Sequence, residues 1–255
     1  ADLVGAVFEG RVEHGSTGYE PTGPSCSVIT HDASSTVRIL AVIPYHDLTG
    51  EHPMILQDFI ALSPILTLGA FALVTMLAIA FQRHHARIAT FAFLSCLCTL
   101  ATVPWAATVA PRTVTTLLVV DRHALLYMGL ILTTTMVIIA LSYRYLIIQF
   151  REEEGVEEYY LLVLLATFGG LVLTTAAHFV SFFLGFELLG LSLCSLIGYL
   201  RTRRHPLEAA VKYLLLSITA SAILLFGLAL LYFESGAMTF QGVGAILTQA
   251  HSVSA

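Results

Sequence analysis

Six long apolar runs constrain this chain more strongly than any other feature of its sequence. Each run has 19 to 25 residues, so at about 1.5 Å per helical residue each can cross a hydrocarbon core of ~30 Å. The runs occupy residues 59–81, 88–109, 125–145, 159–177, 179–200 and 209–233. Lipid cannot hydrogen-bond to the backbone, whereas a helix satisfies its own backbone groups. The sequence therefore predicts an all-α membrane protein, a polytopic bundle of six transmembrane helices.

Composition supports a membrane protein and excludes a nucleic-acid-binding one. Hydrophobic residues make up 57% of the chain and charged residues 11%, against about 25% charged in soluble domains. The net charge of -5 arises before Met54, where seven acidic residues face two arginines. From Met54 onward ten acidic and ten basic residues balance, which leaves no basic surface for nucleic acid.

Three segments differ in character along the chain. Residues 1–53 are rich in Gly, Ser, Thr and Pro, and we expect a poorly ordered extension, with a small extramembrane domain as the alternative. Met54 is the first methionine, which suggests that the natural protein begins there. Residues 54–235 form the predicted six-helix domain. In residues 236–255 the apolar stretch 240–250 is too short to cross a membrane, so we expect a short interfacial segment of a truncated chain.

Arginine placement predicts the orientation of the helices. Cytoplasmic loops of membrane proteins carry an excess of basic residues. Seven arginines fall in loops on one predicted side, against Arg112 and Arg122 on the other. The seven are Arg83, Arg87, Arg144, Arg151, Arg201, Arg203 and Arg204. Their side is predicted to be cytoplasmic.

Glu187 is the residue whose placement most demands a functional reason. It lies eight residues into the fifth run, near the predicted middle of the membrane, with no charged neighbour on its own helix. A charge there costs about 2.5–3.5 kcal/mol even on the lenient insertion scale. Such a carboxylate needs a partner, a proton or a hydrated cavity, and intramembrane acids of this kind mark ion and proton pathways.

Lys212 is the only lysine in the sequence, and it lies just inside the sixth run. Among the basic side chains lysine releases its proton readily on burial, whereas arginine stays charged, so a site that must gain and lose a proton would use lysine. The alternative is an interfacial anchor that extends to the membrane surface and pairs with Glu208 at i−4.

His178 is the only polar break between the fourth and fifth runs, which should form a tight helical hairpin. It is a candidate proton relay, with a hydrogen-bonding turn residue as the alternative. Gly169 and Gly170 in the fourth run are expected to allow close helix packing. His84, His85 and His205 lie beside arginines and are expected to be solvated.

No cofactor or metal site is expected in this chain. The sequence has no Rossmann fingerprint, no P-loop and no haem motif. Its four cysteines are scattered, and Cys96 and Cys98 at i, i+2 would point to different faces of a helix. Two classes of function remain, an ion-translocating subunit and a structural membrane protein with incidental charges.

Four segments resemble a known family, subunit N of the bacterial NADH-quinone oxidoreductase, an antiporter-like membrane subunit of respiratory complex I. They are Leu126-Tyr127-Met128-Gly129, residues 160–170, Phe183-Leu184-Gly185-Phe186-Glu187-Leu188 and Leu207-Glu208-Ala209-Ala210-Val211-Lys212-Tyr213. The resemblance extends from Met54 to about Gly242. The related subunits L and M are the alternative within the family, but a tryptophan usually precedes their glutamate, where this chain has Phe186.

The resemblance implies a proton-translocating role in which Glu187 and Lys212 belong to a row of protonatable groups, with Glu208 beside the lysine. It implies other complex I membrane subunits as partners, flavin and iron-sulfur clusters in those partners, quinone bound elsewhere in the complex, and the bacterial inner membrane as location. A related cation/proton antiporter subunit and a non-pumping fragment are the alternatives.

The chain also departs from the family pattern. Ser192 stands where the family often has a proline, and Asp121-Arg122-His123-Ala124 replaces a common Asp-Gly-Phe-Ala. Family members continue through about fourteen helices with further lysines.

Overall fold

Seven helices and one short hairpin make up the described part of the chain. The structure, a computed structural model, describes residues 56–81, 84–149, 157–199 and 204–253. The elements are α1 (Leu56–Phe81), α2 (His85–Ala107), β1 (Arg112–Thr113), β2 (Val119–Val120), α3 (Arg122–Gln149), α4 (Glu157–Thr175), α5 (Phe179–Ile197), α6 (Arg204–Ser235) and α7 (Phe240–Val253).

The prediction of six membrane helices is confirmed. Within the described ranges, α1 to α6 are long and apolar enough to cross a membrane. Helices α3 and α6 extend beyond the apolar runs that predicted them, because a helix continues into the polar interface after its hydrophobic stretch ends. With 14 residues, or about 21 Å, α7 is too short to cross. Residues 1–53 and Arg83, Arg151, Arg201 and Arg203 lie outside the described residues, so the predictions that depend on them stay predictions.

Helices α1 to α4 enclose the hydrophobic core. Each packs against the next along the chain, and α1 and α2 also contact α4. Leu68, Met128, Leu132, Leu164 and Leu171 are fully buried at their centre. Helix α5 packs on α4, and α6 packs on α5. The sixth helix therefore has one covered face, while its remaining sides are exposed in this structure.

The α4–α5 hairpin is held by a close approach of two backbones. A Cβ atom at Gly169 would lie 2.8 Å from the backbone nitrogen of Leu189 and 3.0 Å from the carbonyl oxygen of Gly185. A Cβ at Gly185 would in turn lie 3.1 Å from the nitrogen of Leu173. The predicted tight hairpin is thus present, and Gly169 rather than Gly170 makes the closest approach.

The loops at one end of the bundle are joined by backbone hydrogen bonds. Strands β1 and β2 pair between α2 and α3, and Leu118 next to β2 pairs with Ala176 in the α4–α5 turn. His178 in the same turn pairs with Thr239, which precedes α7. Arg112 of β1 forms an ion pair with the buried Asp58 of α1. Three helix connections and the start of α1 are therefore joined at this end, which fixes where α5 begins.

Candidate functional site

Glu187 lies at the centre of α5, as the ninth of its nineteen residues. Its side chain is partly buried, and its Oε1 atom is fully buried without a hydrogen-bond partner among the described residues. Leaving a buried acceptor unsatisfied costs about 1–3 kcal/mol, and more for a charged group. The structure therefore places Glu187 at the middle of its helix, and its functional role stays a prediction.

Helix geometry directs Glu187 away from α4 and toward α6. Gly185 and Leu189 contact α4. Glu187 is two residues from each, which is about 200° around the helix. On the opposite face, a Cβ at Gly190 would lie 3.4 Å from the hydroxyl oxygen of Ser217 on α6. Gly190 is three residues from Glu187, so both share the face that packs on α6.

The contacts between α5 and α6 also fix the relative level of their residues. At one end a Cβ at Gly198 would lie 3.0 Å from the Cβ of Ala210, and further along Gly190 meets Ser217. The two helices are antiparallel, so the level of Glu187 corresponds to residues 220 and 221 of α6. Ser221 lies there, buried, and its hydroxyl has no hydrogen-bond partner among the described residues.

Lys212 and Glu208 form an ion pair with 2.6 Å between Nζ and Oε1. Their side chains are 71% and 62% exposed, respectively. Lys212 is nine residues from Ser221, which places it about half a turn away around α6 and about 13 Å away along it. The structure therefore brings Lys212 to Glu208 and does not bring it to Glu187.

His178 lies at the start of α5 and is engaged in local hydrogen bonds. Its Nδ1 accepts a hydrogen bond from the backbone nitrogen of Val180 at 3.2 Å, so it caps the helix. Its own carbonyl accepts from the Ser181 hydroxyl at 2.9 Å. Glu187 is nine residues further along, or about 13 Å. The structure thus shows the turn residue that the sequence allowed as an alternative.

The prediction that His85 is solvated is wrong. His85 is the first residue of α2, and its Nε2 lies 2.8 Å from the hydroxyl oxygen of Tyr160, which is fully buried on α4. Its ring also packs against Tyr143 of α3 with centroids 5.2 Å apart. The neighbouring arginines suggested a solvated loop. The tyrosines at the ends of α3 and α4 were the sequence signal for a possible partner of His85.

A cavity of about 600 Å³ opens where α5 ends and α6 begins. Its wall is mainly apolar, with Glu158, Cys194, Ser195 and Tyr199 as polar residues. Cys194 is seven residues from Glu187, two helical turns along nearly the same face of α5. The cavity therefore reaches to about 10 Å from the level of Glu187.

The described residues contain no group of three or more His, Cys, Asp or Glu side chains that could hold a metal ion. The three described cysteines are free, and Cys96 is buried while Cys98 is exposed, as their spacing predicted.

Within the described residues, six apolar helices, the fifth with a carboxyl group at its middle, define a multi-pass α-helical membrane protein. Two comparisons extend this description. A family model described as "NADH:quinone oxidoreductase/Mrp antiporter, TM" matches residues 176–255, which include α5, α6 and α7. A chain in the structure of respiratory complex I from Thermus thermophilus with bound aureothin matches with a TM-score of 0.59 and 26% sequence identity.

The structural match covers 69% of this chain and 38% of that chain, so the present chain spans about two-fifths of its length. The chain is thus similar to antiporter-like membrane subunits of complex I, and the predicted resemblance is confirmed at that level. Glu187, Glu208 and Lys212 all lie inside the region that the family model matches.

Proposed function

We propose that this chain is a proton-translocating membrane subunit of an NADH:quinone oxidoreductase, with its sequence motifs favouring subunit N. The observation that carries the proposal is the buried Oε1 of Glu187 at the centre of a membrane helix, which has no hydrogen-bond partner in the described part of the chain. A group in this position can accept a proton from one side and release it to the other if water reaches it. The cavity that ends about 10 Å away at Cys194 supports such access.

The proposal assigns the redox chemistry to partner subunits. Flavin, iron-sulfur clusters and quinone would bind in the other subunits of the complex, and this chain would use the energy that their reaction releases. The membrane would be the bacterial inner membrane. The exposed faces of α6 would contact further helices or lipid.

A cation/proton antiporter subunit is the second candidate, because the description of the matching family model names both NADH:quinone oxidoreductase and the Mrp antiporter. Purification of the chain from its source membrane distinguishes the two. We expect complex I membrane subunits to co-purify with it, together with NADH oxidation activity. Recovery with antiporter subunits and without any NADH oxidation would support the second candidate and overturn the first.

In this structure the Lys212 side chain is 71% exposed and paired with Glu208. Within this proposal it exchanges protons once neighbouring helices of the complex cover it, since burial is what makes a lysine release its proton. Arginine preserves the charge and the pair but does not release a proton. Lys212→Arg is therefore expected to lower NADH-driven proton pumping several-fold while the complex still assembles. The measurement is the initial rate of proton uptake by proteoliposomes that contain the intact complex.

The exposed Arg122 at the start of α3 provides the matched control, since Arg122→Lys exchanges the same two residue types away from the site. It is expected to pump at the wild-type rate. If Lys212→Arg also pumps at the wild-type rate, Lys212 is an interfacial anchor and its titration is not part of the mechanism.

A further inference from the structure

The interface between α5 and α6 contains two buried side-chain atoms without a hydrogen-bond partner among the described residues, Glu187 Oε1 and Ser221 Oγ. They belong to neighbouring helices and lie at the same level, as the contacts of Gly198 with Ala210 and of Gly190 with Ser217 establish. Two polar atoms that lack partners at one place in an apolar interface point to a common ligand rather than to two separate defects.

Ser221 lies on the face of α6 that packs against α5. Ala210, Ser217 and Ser221 recur at intervals of seven and four residues, which places them on one side of a helix. Burial follows the same stripe, since Ala210 and Ser221 are buried, Ser217 is partly buried, and Val211 and Leu216 are exposed. The Ser221 side chain is therefore directed toward the helix that carries Glu187.

The hydroxyl of Ser221 also differs from those of Ser192 and Thr219 in these helices. In an apolar helix, serine and threonine commonly donate to the carbonyl oxygen one turn earlier. Ser192 of α5 donates to Leu188 at 2.7 Å, and Thr219 of α6 donates to Leu215 at 2.8 Å. Ser221 has no such bond in the described structure, so its donor is available to a group between the helices.

We infer that Glu187 and Ser221 together hold water between α5 and α6, and that Ser221 is a positioning residue for the carboxyl group of Glu187. A water molecule needs two to four polar partners in a protein interior, and these two side chains supply the minimum. The water donates to Oε1 of Glu187 and accepts from, or donates to, the hydroxyl of Ser221. The inference deepens the proposed function, because such water would be the first carrier of a proton to or from Glu187.

The test is infrared spectroscopy of the full chain in lipid nanodiscs, at a pH low enough to protonate Glu187. The carbonyl band of the protonated side chain is identified as the band that Glu187→Gln removes. In Ser221→Ala we expect this band to shift to higher wavenumber, because the carbonyl loses hydrogen bonding. In the wild-type chain we expect an O–H stretching band of the bound water, which shifts on exchange into H₂¹⁸O, and this water band should be lost in Ser221→Ala.

Ser192→Ala is the matched control, since Ser192 is also buried but its hydroxyl is already bonded within α5. It should leave the band of Glu187 unchanged. Ser221→Thr keeps the hydroxyl and should restore the wild-type band. Ser221→Cys, which keeps the size and weakens the donor, provides a second variant if the alanine variant does not fold, and its band should shift in the same direction.

An identical Glu187 band in the wild-type, Ser221→Ala and Ser221→Cys chains would overturn the inference. The outcome is independent of the proposed function, because the spectrum reports on hydrogen bonding without any pumping. A shifted band together with unchanged pumping in Glu187→Gln would leave the water site standing and refute the proton-carrying role.

Discussion

The exchange Gly169→Ala is expected to destabilise the α4–α5 hairpin, and Gly170→Ala is expected to have almost no effect. The new methyl group at position 169 would lie 2.8 Å from a backbone nitrogen of α5, and backbone cannot rotate away as a side chain does. The two helices would have to separate. Overpacking of this kind costs about 1–3 kcal/mol, and more where both neighbours are backbone.

The two adjacent glycines make this a matched comparison. At position 170 the nearest atom to a new methyl group is a side-chain carbon of Ile131 at 3.6 Å, an ordinary van der Waals contact. Thermal unfolding of both variants in detergent measures the effect, and we expect a melting temperature several degrees lower for Gly169→Ala alone. Equal melting temperatures would show that the helices do not approach at Gly169 as described.

This hairpin also positions the candidate site. Glu187 lies between Gly185 and Leu189, both of which contact Gly169, so the closeness of α4 and α5 determines which way the glutamate points. Loss of the hairpin would rotate or displace Glu187 from the interface with α6. Part of any functional defect of Gly169→Ala would therefore arise through Glu187.

The membrane helices and the buried acid were predictable from sequence, because both depend on the difference between water and lipid. Apolar runs of 19 to 25 residues are long enough to cross the hydrocarbon core of a membrane. A carboxylate inside one of them is easily recognised, because a charge there is costly. The helix boundaries were less predictable, since hydropathy marks the lipid-facing stretch and not the polar turns at its ends.

The sequence does not predict whether Glu187 and Lys212 lie close together. The sequence indicates that Lys212 and Ser221 lie on opposite sides of α6, but not which side packs against α5. Ala210 and Ser217 decide this through their contacts with glycines of α5, and those contacts depend on how both helices are rotated. The result favours Ser221, which no charge or motif distinguishes, as the neighbour of Glu187.

The contacts of His85 and His178 depend on parts of the chain that are distant in sequence. Tyr160 is 75 residues from His85, and Thr239 is 61 residues from His178. The tyrosines at the ends of α3 and α4 mark possible partners of His85, but a single sequence does not show which residues pair over such distances. Local chemistry could indicate only that His178 was suited to a turn and that His85 stood near basic residues.

Glu187→Gln is the variant with the largest expected effect on function. The amide keeps the size of the side chain and most of its hydrogen-bonding capacity, but it does not gain or lose a proton at physiological pH. Removal of a proton-transfer group commonly lowers a rate by ~100-fold or more, so we expect pumping to fall at least about tenfold. Glu187→Asp, which keeps a carboxyl group on a shorter chain, should retain part of the activity.

The exposed Glu234 at the other end of α6 provides a control for the chemical exchange itself. Glu234→Gln removes the same charge outside the site and should pump at the wild-type rate. Oxidation of NADH with an artificial electron acceptor should be equal in all variants, and each variant chain should co-purify with the other membrane subunits, which would show that the complex is assembled.

NADH-driven proton uptake by proteoliposomes containing the intact complex with Glu187→Gln tests the proposed proton path most directly. We expect normal NADH oxidation by the artificial acceptor and a loss of at least about nine-tenths of the pumping rate. Pumping at the wild-type rate in an assembled complex would refute this role of Glu187, because a proton path through Glu187 cannot operate without its carboxyl group.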